Sequence, residues 1–443
     1  MTEEKVCIIG IWHLGAVTSA CLASLGYQVI GVDNSPDRVK ELNRGVPPLF
    51  EPGLAELLSE NVAAGRLQYT TDLETAVRQA AYVLFTFDTP VDEQDEVDLS
   101  ELFDTCERLA PHLAEGATFV ISSQVPVGTC QELAAVIRKT NPQASFGTAC
   151  VPENLRLGQA IQRFLHPDML VIGADDTATA ERVEHLLTPI EAPKLRVSLR
   201  TAEMTKHAIN AFLATSISFI NEIANLCERV GADAIQVGEA LRLDQRIGPR
   251  APLHPGLGFS GGTLARDMKT LLHLAERHDY EGSLLRGVLA VNERQNGIVL
   301  EKLRAVHESL QGLTVGVLGL TYKAGTSTMR RSASMEIVAS LLSEGAQVKA
   351  FDPKAEVGDI PPLPGLSLCD DAYALAAGCD ALILLTPWPE FSDLDTARLK
   401  SIMNYPLFID PQNSLDAEAM AAVGFRYVGL GRGANVAEAG RTS

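Results

Sequence analysis

Short runs of aliphatic residues alternate along this chain with longer stretches in which apolar positions recur at helical spacing. Val6–Ile9 is an apolar run bounded by Gly10, Ala16–Leu25 has helical spacing, and Gln28–Asp33 is a second run that ends in an acid. Strand, glycine turn, helix and strand make a βαβ unit. Runs at Tyr82–Phe85, Thr118–Ser122, Ser145–Ala149 and Met169–Ile172 predict more buried strands, separated by helical stretches such as Glu101–His112. Alternation of this kind implies a doubly wound parallel sheet, assigned here to a first domain, 1–198.

From Thr201 to about Val230 the pattern becomes one long helix without Pro or Gly, and Asp267–His278 and Leu285–Ser309 predict further helices. This block, 199–309, is too long for a crossover and forms a central helical domain. At Thr314–Leu318 the strand-then-glycine pattern restarts, with strands expected at Gln347–Asp352, Ala381–Leu385 and Leu407–Asp410. The expected fold is therefore α/β: two Rossmann-like doubly wound domains, the second over 310–443, joined by a helical domain.

Bulk properties narrow the function. At 443 residues the chain is too long for one core to keep growing. Its 56 acidic against 37 basic residues give a net charge of −19. A field of that sign repels phosphate backbones and anionic lipids, so neither nucleic acid nor a membrane surface is an expected partner. A local cationic cluster or a helix N-terminus can still reverse the potential in one cleft, so an anionic small substrate stays open. The eight cysteines are scattered with no CxxC pair, which reads as reduced thiols, no metal site and a cytoplasmic protein.

Gly10-Ile11-Trp12-His13-Leu14-Gly15 sits where a dinucleotide fingerprint belongs, after a strand and opening a helix. Asp33 ends the next strand about twenty residues on, as the acid that binds ribose hydroxyls does. The first glycine permits the turn and the third permits close packing. The second normally lets the backbone approach a pyrophosphate, and here it is Trp12. Two readings stand at this point: a βα turn with a packed indole, or a dinucleotide site with an altered pose. The acid favours NAD over NADP, because it repels a 2′-phosphate.

Further stretches carry a resemblance. They are Glu51-Pro52-Gly53-Leu54, Thr89-Pro90, Val125-Pro126-Val127-Gly128-Thr129, Pro152-Glu153-Asn154-Leu155-Arg156, Ala202-Glu203-Met204-Thr205-Lys206-His207-Ala208-Ile209-Asn210, Gly258-Phe259-Ser260-Gly261-Gly262 and Gly319-Leu320-Thr321-Tyr322-Lys323. In this order the chain resembles the UDP-glucose/GDP-mannose dehydrogenase family almost end to end. The resemblance implies an NAD domain, a central helix serving as homodimer interface, and a last domain holding the nucleotide of a UDP- or GDP-linked sugar. Family members oxidise a C6 alcohol to a carboxylate with two NAD, through a thiohemiacetal and a thioester on a cysteine.

By that resemblance Lys206 and Asn210, one helical turn apart, stabilise developing oxyanions and hold a water. Asp267 assists proton transfer and Glu153 serves as a base for water. Gly10, Trp12, His13, Leu14, Gly15, Asp33, Arg38, Thr89, Gln124 and Arg330 fall on cofactor positions, and Arg246, Gly258, Phe259 and Lys323 on substrate positions. Without the resemblance, Lys206 is equally readable as a solvated helix lysine, and Asp267 and Glu153 as surface charges.

The departures cluster at the chemistry. Where the family has G-F-G-G-S-C-F-P-K-D, Thr263 stands in place of the nucleophilic cysteine. Gln124 replaces a threonine, Leu157 a glutamate, Pro387 a glutamate and Gln412 an arginine. A threonine hydroxyl needs a dedicated base where a thiol does not. Three functions follow as expectations: an oxidoreductase that stops at a carbonyl or oxidises transiently, a non-catalytic nucleotide-sugar binder, or full oxidation without covalent capture.

Overall fold

In the computed structural model, which describes residues 4–91, 97–329, 331–356, 358, 360 and 362–433, the chain divides into two units, Met1–Ile209 and Asn210–Ser443. The first holds strands β1 (Lys5–Ile9), β2 (Gln28–Val32), β3 (Leu67–Thr70), β4 (Ala80–Phe85), β5 (Ala117–Ile121), β6 (Phe146–Cys150), β7 (Leu170–Ala174) and β8 (Lys194–Ser198). They form one sheet in the order β3-β2-β1-β4-β5-β6-β7-β8. Strands β1, β4 and β5 lie at its centre with their aliphatic side chains buried on both faces, which is why they read as unbroken apolar runs. The order reverses between β1 and β4, and the crevice beyond the carboxyl ends of these two strands is where such sheets bind ligands.

One expectation needs correcting. The sheet is parallel from β3 to β6, but β7 runs antiparallel to β6, pairing Ala149 with Ala174 and Cys150 with Gly173; β8 is then parallel to β7. A parallel return needs a crossover long enough to carry the chain back past the sheet. The connection here contains only the six-residue helix Ala160–Leu165, about 9 Å long, so the chain re-enters from the end at which it left.

The 32-residue helix Leu199–Val230 runs out of the first unit into the second. The second unit continues with helices Ala234–Leu243, Leu264–Arg277 and Ser283–Arg304. Its sheet comprises β9 (Thr314–Leu318), β10 (Gln347–Phe351), β11 (Leu366–Leu368), β12 (Ala381–Leu384), β13 (Leu407–Asp410) and β14 (Arg426–Gly429). Their order is β11-β10-β9-β12-β13-β14, all parallel, with its own switch between β9 and β12.

The two sheets repeat one device. Gly10 after β1 and Gly319 after β9 both have φ of 90°, a conformation that suits glycine. In each case the next amide donates to the acid after the neighbouring strand: Ile11 to Asp33 Oδ2 at 3.2 Å, and Leu320 to Asp352 Oδ2 at 2.7 Å. Asp352 also accepts from the Thr321 amide and hydroxyl and from Trp388 Nε1, so its carboxylate is committed to the protein. Among the described residues no helix is long and apolar enough to cross a membrane.

Candidate active site

The glycine turn of the first unit is built as a dinucleotide turn. A Cβ on Gly15 would lie 2.3 Å from the Gly10 carbonyl oxygen and 2.7 Å from Thr86 Oγ1, so the third glycine lets the helix His13–Ser24 pack against the strand ends. Asp33 is buried; Ser35 N donates to its Oδ1, and Arg38 Nη1 pairs with its Oδ2 at 2.9 Å. The guanidinium of Arg38 in turn lies 5.0 Å from the ring centre of Trp12, a residue that is 37% exposed. The indole is therefore laid against Arg38 and has not sunk into the core, which removes the packed-indole reading. His13 Nε2 meets the buried Glu51 carboxylate at 2.9 Å, and Glu51 also accepts from the amides of Gly158 and Ala160. The turn is thereby fixed to the segment that follows Glu153. These residues fit NAD: a glycine turn, an acid for ribose hydroxyls and a helix N-terminus for phosphate.

Lys206 is buried within this unit, its Nζ 3.4 Å from Asn154 Oδ1 and 3.8 Å from Glu153 Oε1. The other Glu153 oxygen accepts from the Leu155 amide, which aims the carboxylate. Leu14, Ser122, Glu153 and Asn154 share the lining of one cavity of about 80 Å³, so a residue of the glycine turn and the Lys206 partners line the same space. Thr89 Oγ1 donates to the Gln124 carbonyl at 2.8 Å, joining the segments that follow β4 and β5.

In the second unit, Asn210 Nδ2 donates to Asp267 Oδ2. Asp267 is fully buried in the first turn of helix Leu264–Arg277, where the helix dipole favours a negative charge. Thr263 is the residue just before this helix; it is exposed and its side chain makes no capping bond. The preceding loop is held from three sides. Asn221 binds Gly256 N and Leu257 O, Gln295 binds Gly256 O, and Asn292 binds both backbone groups of Phe259. A Cβ on Gly258 would lie 2.8 Å from Asn292, so the glycine there is a packing requirement. Gly261 donates to the Arg331 carbonyl and rests on the Tyr322 ring, over which Lys323 Nζ lies at 5.5 Å. Arg246 is exposed and tied to its neighbour Asp244 at 2.6 Å. Gln412 donates to the Leu385 carbonyl. Arg330 lies outside the described residues.

Sequence reasoning passed over Glu51 and Glu203 as site residues, and over Asn292 and Gln295 altogether. Glu51 and Glu203 carried a signal, each inside a motif that resembles the family's. The others act on backbone distant in sequence, which no local pattern marks. The cysteines offer no replacement for a thiol at 263. Seven of the eight are buried and Cys369 is half-buried. Burial pushes the thiols of Cys7 and Cys106 well above their ordinary range, and those of Cys21 and Cys379 to about 12 and about 11, which keeps them protonated and unreactive.

Comparison with known proteins agrees with this geometry. Three models match in order: the NAD binding domain of the UDP-glucose/GDP-mannose dehydrogenase family over residues 4–191, its central domain over 200–294 and its UDP binding domain over 316–417. The chain is 38% identical over 435 residues to UDP-glucose 6-dehydrogenase of Rhizobium meliloti (strain 1021), covering 97% of this chain and 99% of that one. It is 36% identical over 432 residues to UDP-glucose 6-dehydrogenase TuaD of Bacillus subtilis (strain 168), covering 97% and 93%. Among solved structures, a UDP-glucose dehydrogenase from the hyperthermophilic archaeon Pyrobaculum islandicum superposes with a TM-score of 0.85 at 31% identity, over 92% of this chain and 94% of that one.

Proposed function

From the premise that this chain belongs to the UDP-glucose/GDP-mannose dehydrogenase family, as an NAD-dependent oxidoreductase acting on a CH–OH group of a nucleotide sugar, we propose that it takes a UDP-linked sugar only as far as the carbonyl. The observation that carries this reading is Thr263, an exposed hydroxyl just before the helix that holds Asp267; by the resemblance it stands at the family's cysteine position.

The first oxidation removes a hydride and a proton from one alcohol carbon, giving a carbonyl compound, NADH and a proton. NAD, when bound, supplies the hydride acceptor. Lys206, a buried ammonium, stabilises the negative charge that develops on the alcohol oxygen, a large contribution in a site shielded from water. By the resemblance, the Asp267 carboxylate, bonded by Asn210 within the second unit, takes up the hydroxyl proton. A second oxidation needs a nucleophile to add to the aldehyde. A hydroxyl becomes one only with an adjacent base, and the exposed Thr263 side chain makes no capping bond and meets no base among the described residues.

The relatives named UDP-glucose 6-dehydrogenase make UDP-glucose the first substrate to try. Incubation with NAD, read by mass spectrometry and by NADH released per sugar, is expected to give a sugar aldehyde or its hydrate and one NADH per sugar. A uronic acid with two NADH per sugar overturns the reading.

We also propose that the chain works as a homodimer through the helix Leu199–Val230. Phe212, Phe219 and Leu226 recur at seven-residue intervals on it, and all are exposed in the single chain. Large apolar side chains aligned on one exposed face mark an interaction surface.

A further inference from the structure

Resting on the reading that NAD binds in the first unit, we propose that Glu203 and His207 are positioning residues that set the nicotinamide half of the crevice against the Lys206 ammonium. The long helix carries them on either side of Lys206, one turn before it and one residue after it. Both side chains are about 2% exposed, so neither is there for solvent.

Glu203 spends its two oxygens on separate amides. Oε2 accepts from Gly128 N and Oε1 from Cys130 N, each at 2.7 Å. Gly128 and Cys130 open the helix Thr129–Thr140, whose first amides have no partner of their own and attract negative charge. A carboxylate buried this deeply is tolerated only when bonded in this way. His207 Nε2 lies 2.9 Å from the Val125 carbonyl oxygen. A carbonyl can only accept, so that ring nitrogen carries the hydrogen.

One helix therefore grips Val125–Cys130 at both ends. That segment follows β5, and through Thr89 Oγ1 and the Gln124 carbonyl it is joined to the segment that follows β4. These two segments border the crevice on the β4 side of the switch point, across from the Gly10 turn and Asp33. In a dinucleotide site the turn and the ribose-binding acid take the adenosine and pyrophosphate, which leaves the β4 side to the nicotinamide. Hydrogen bonds of these two side chains would then hold the segment that sets the distance between a bound nicotinamide and Lys206. Misplacement of reacting groups by about 1 Å costs about a hundredfold in rate.

The test uses the full-length protein and three variants. His207→Leu removes the donor, His207→Gln keeps an N–H donor, and Glu203→Gln removes the charge and one acceptor. Emission and anisotropy of bound NADH report the nicotinamide's surroundings without turnover. The isotope effect on kcat with C6-dideuterated UDP-glucose reports the hydride step, and thermal melting reports the folded fraction. We expect H207L and E203Q to change the emission of bound NADH, to lower kcat about ten- to a hundredfold and to raise the isotope effect. NADH affinity should stay within about threefold, and H207Q should recover most of the rate. Loss of activity in proportion to the folded fraction, with emission and isotope effect unchanged, overturns the proposal. If H207L does not fold, E203Q carries the same expectation. If UDP-glucose is not oxidised at all, the reading of the substrate fails, while bound NADH emission still decides the positioning role.

Discussion

The Nζ of Lys206 stands 3.8 Å from the Glu153 carboxylate, with 9% of the Lys206 side chain and 24% of the Glu153 side chain exposed. A solvated helix lysine has neither that burial nor that partner. The ammonium is balanced but not sealed by a tight bond, so it remains able to meet negative charge developing on a substrate oxygen. Replacing Lys206 by Met keeps the volume and removes the charge. We expect kcat to fall about a hundred- to a thousandfold, the usual cost of losing one preorganised group at a developing oxyanion, with NAD affinity nearly unchanged by calorimetry. A fall of less than about threefold in kcat means that Lys206 serves only to neutralise Glu153.

How far the chain could be read in advance depends on where each element sits. Strands at sheet centres were placed within a residue or two, and Thr314–Leu318 and Leu407–Asp410 to the residue, because burial on both faces demands continuous apolar runs. The four strands that went unread, Leu67–Thr70, Lys194–Ser198, Leu366–Leu368 and Arg426–Gly429, are the four sheet edges. Edge strands are short and admit polar residues, which blurs the pattern. Similarly, Lys206, Asn210 and Asp267 were legible as a family pattern. Asn292 and Gln295 were not, because what they bind is backbone brought near only by the fold, and Glu203 showed its motif but not its partners.

Thr263 offers a direct test of the proposal that oxidation stops at the carbonyl. It is exposed and makes no capping bond, so Thr263→Cys should change stability by no more than about 0.5 kcal/mol. The helix N-terminus beside it favours a thiolate. We expect the variant to trap the aldehyde, seen as a mass adduct on the intact protein, and to raise NADH yield above one per sugar. If T263C yields the same product and the same NADH as the parent, the missing thiol is not what limits the reaction.

Trp12 stands where a glycine lets backbone approach a pyrophosphate, yet its indole lies on Arg38. The side chain therefore takes up room near the turn while contributing through a cation–π contact of about 0.5–1 kcal/mol at an exposed site. Trp12→Gly should free the backbone and tighten NAD binding by about threefold or more in calorimetry. Weaker binding in W12G shows instead that the indole is itself a surface for the cofactor.

Asp352 gives the second unit an acid-sensitive joint. Burial pushes its carboxyl up, but amides of Thr321, Lys354, Leu320 and Ala355 outweigh that and hold it below the ordinary value. A carboxyl whose folded value is depressed contributes stability above the unfolded value of about 3.9 and loses it as pH falls through the folded value. Asp352→Asn should therefore cost about 2 kcal/mol near neutrality through the broken hydrogen bonds. The gap in melting temperature between parent and variant should begin to narrow as the pH falls below about 4 and go on narrowing through the folded value. A gap that stays constant as the parent's carboxyl is protonated assigns the loss to shape and not to charge.

Phe219, 47% exposed, and Leu226, 53% exposed, lie two helical turns apart on the long helix. A seven-residue interval returns to nearly the same face of a helix, so Phe212, Phe219 and Leu226 line up along one stripe. Covering their remaining exposed surface is worth on the order of 1 kcal/mol for each side chain, about half the value for full burial, which a second copy of the same helix can supply. Aspartate at both 219 and 226 would place charges in that seam without touching the core. Light scattering should then report a single-chain mass for the double variant and twice that for the parent, with helical circular dichroism retained. A parent that already runs as a single chain at micromolar concentration removes the stripe as the dimer contact.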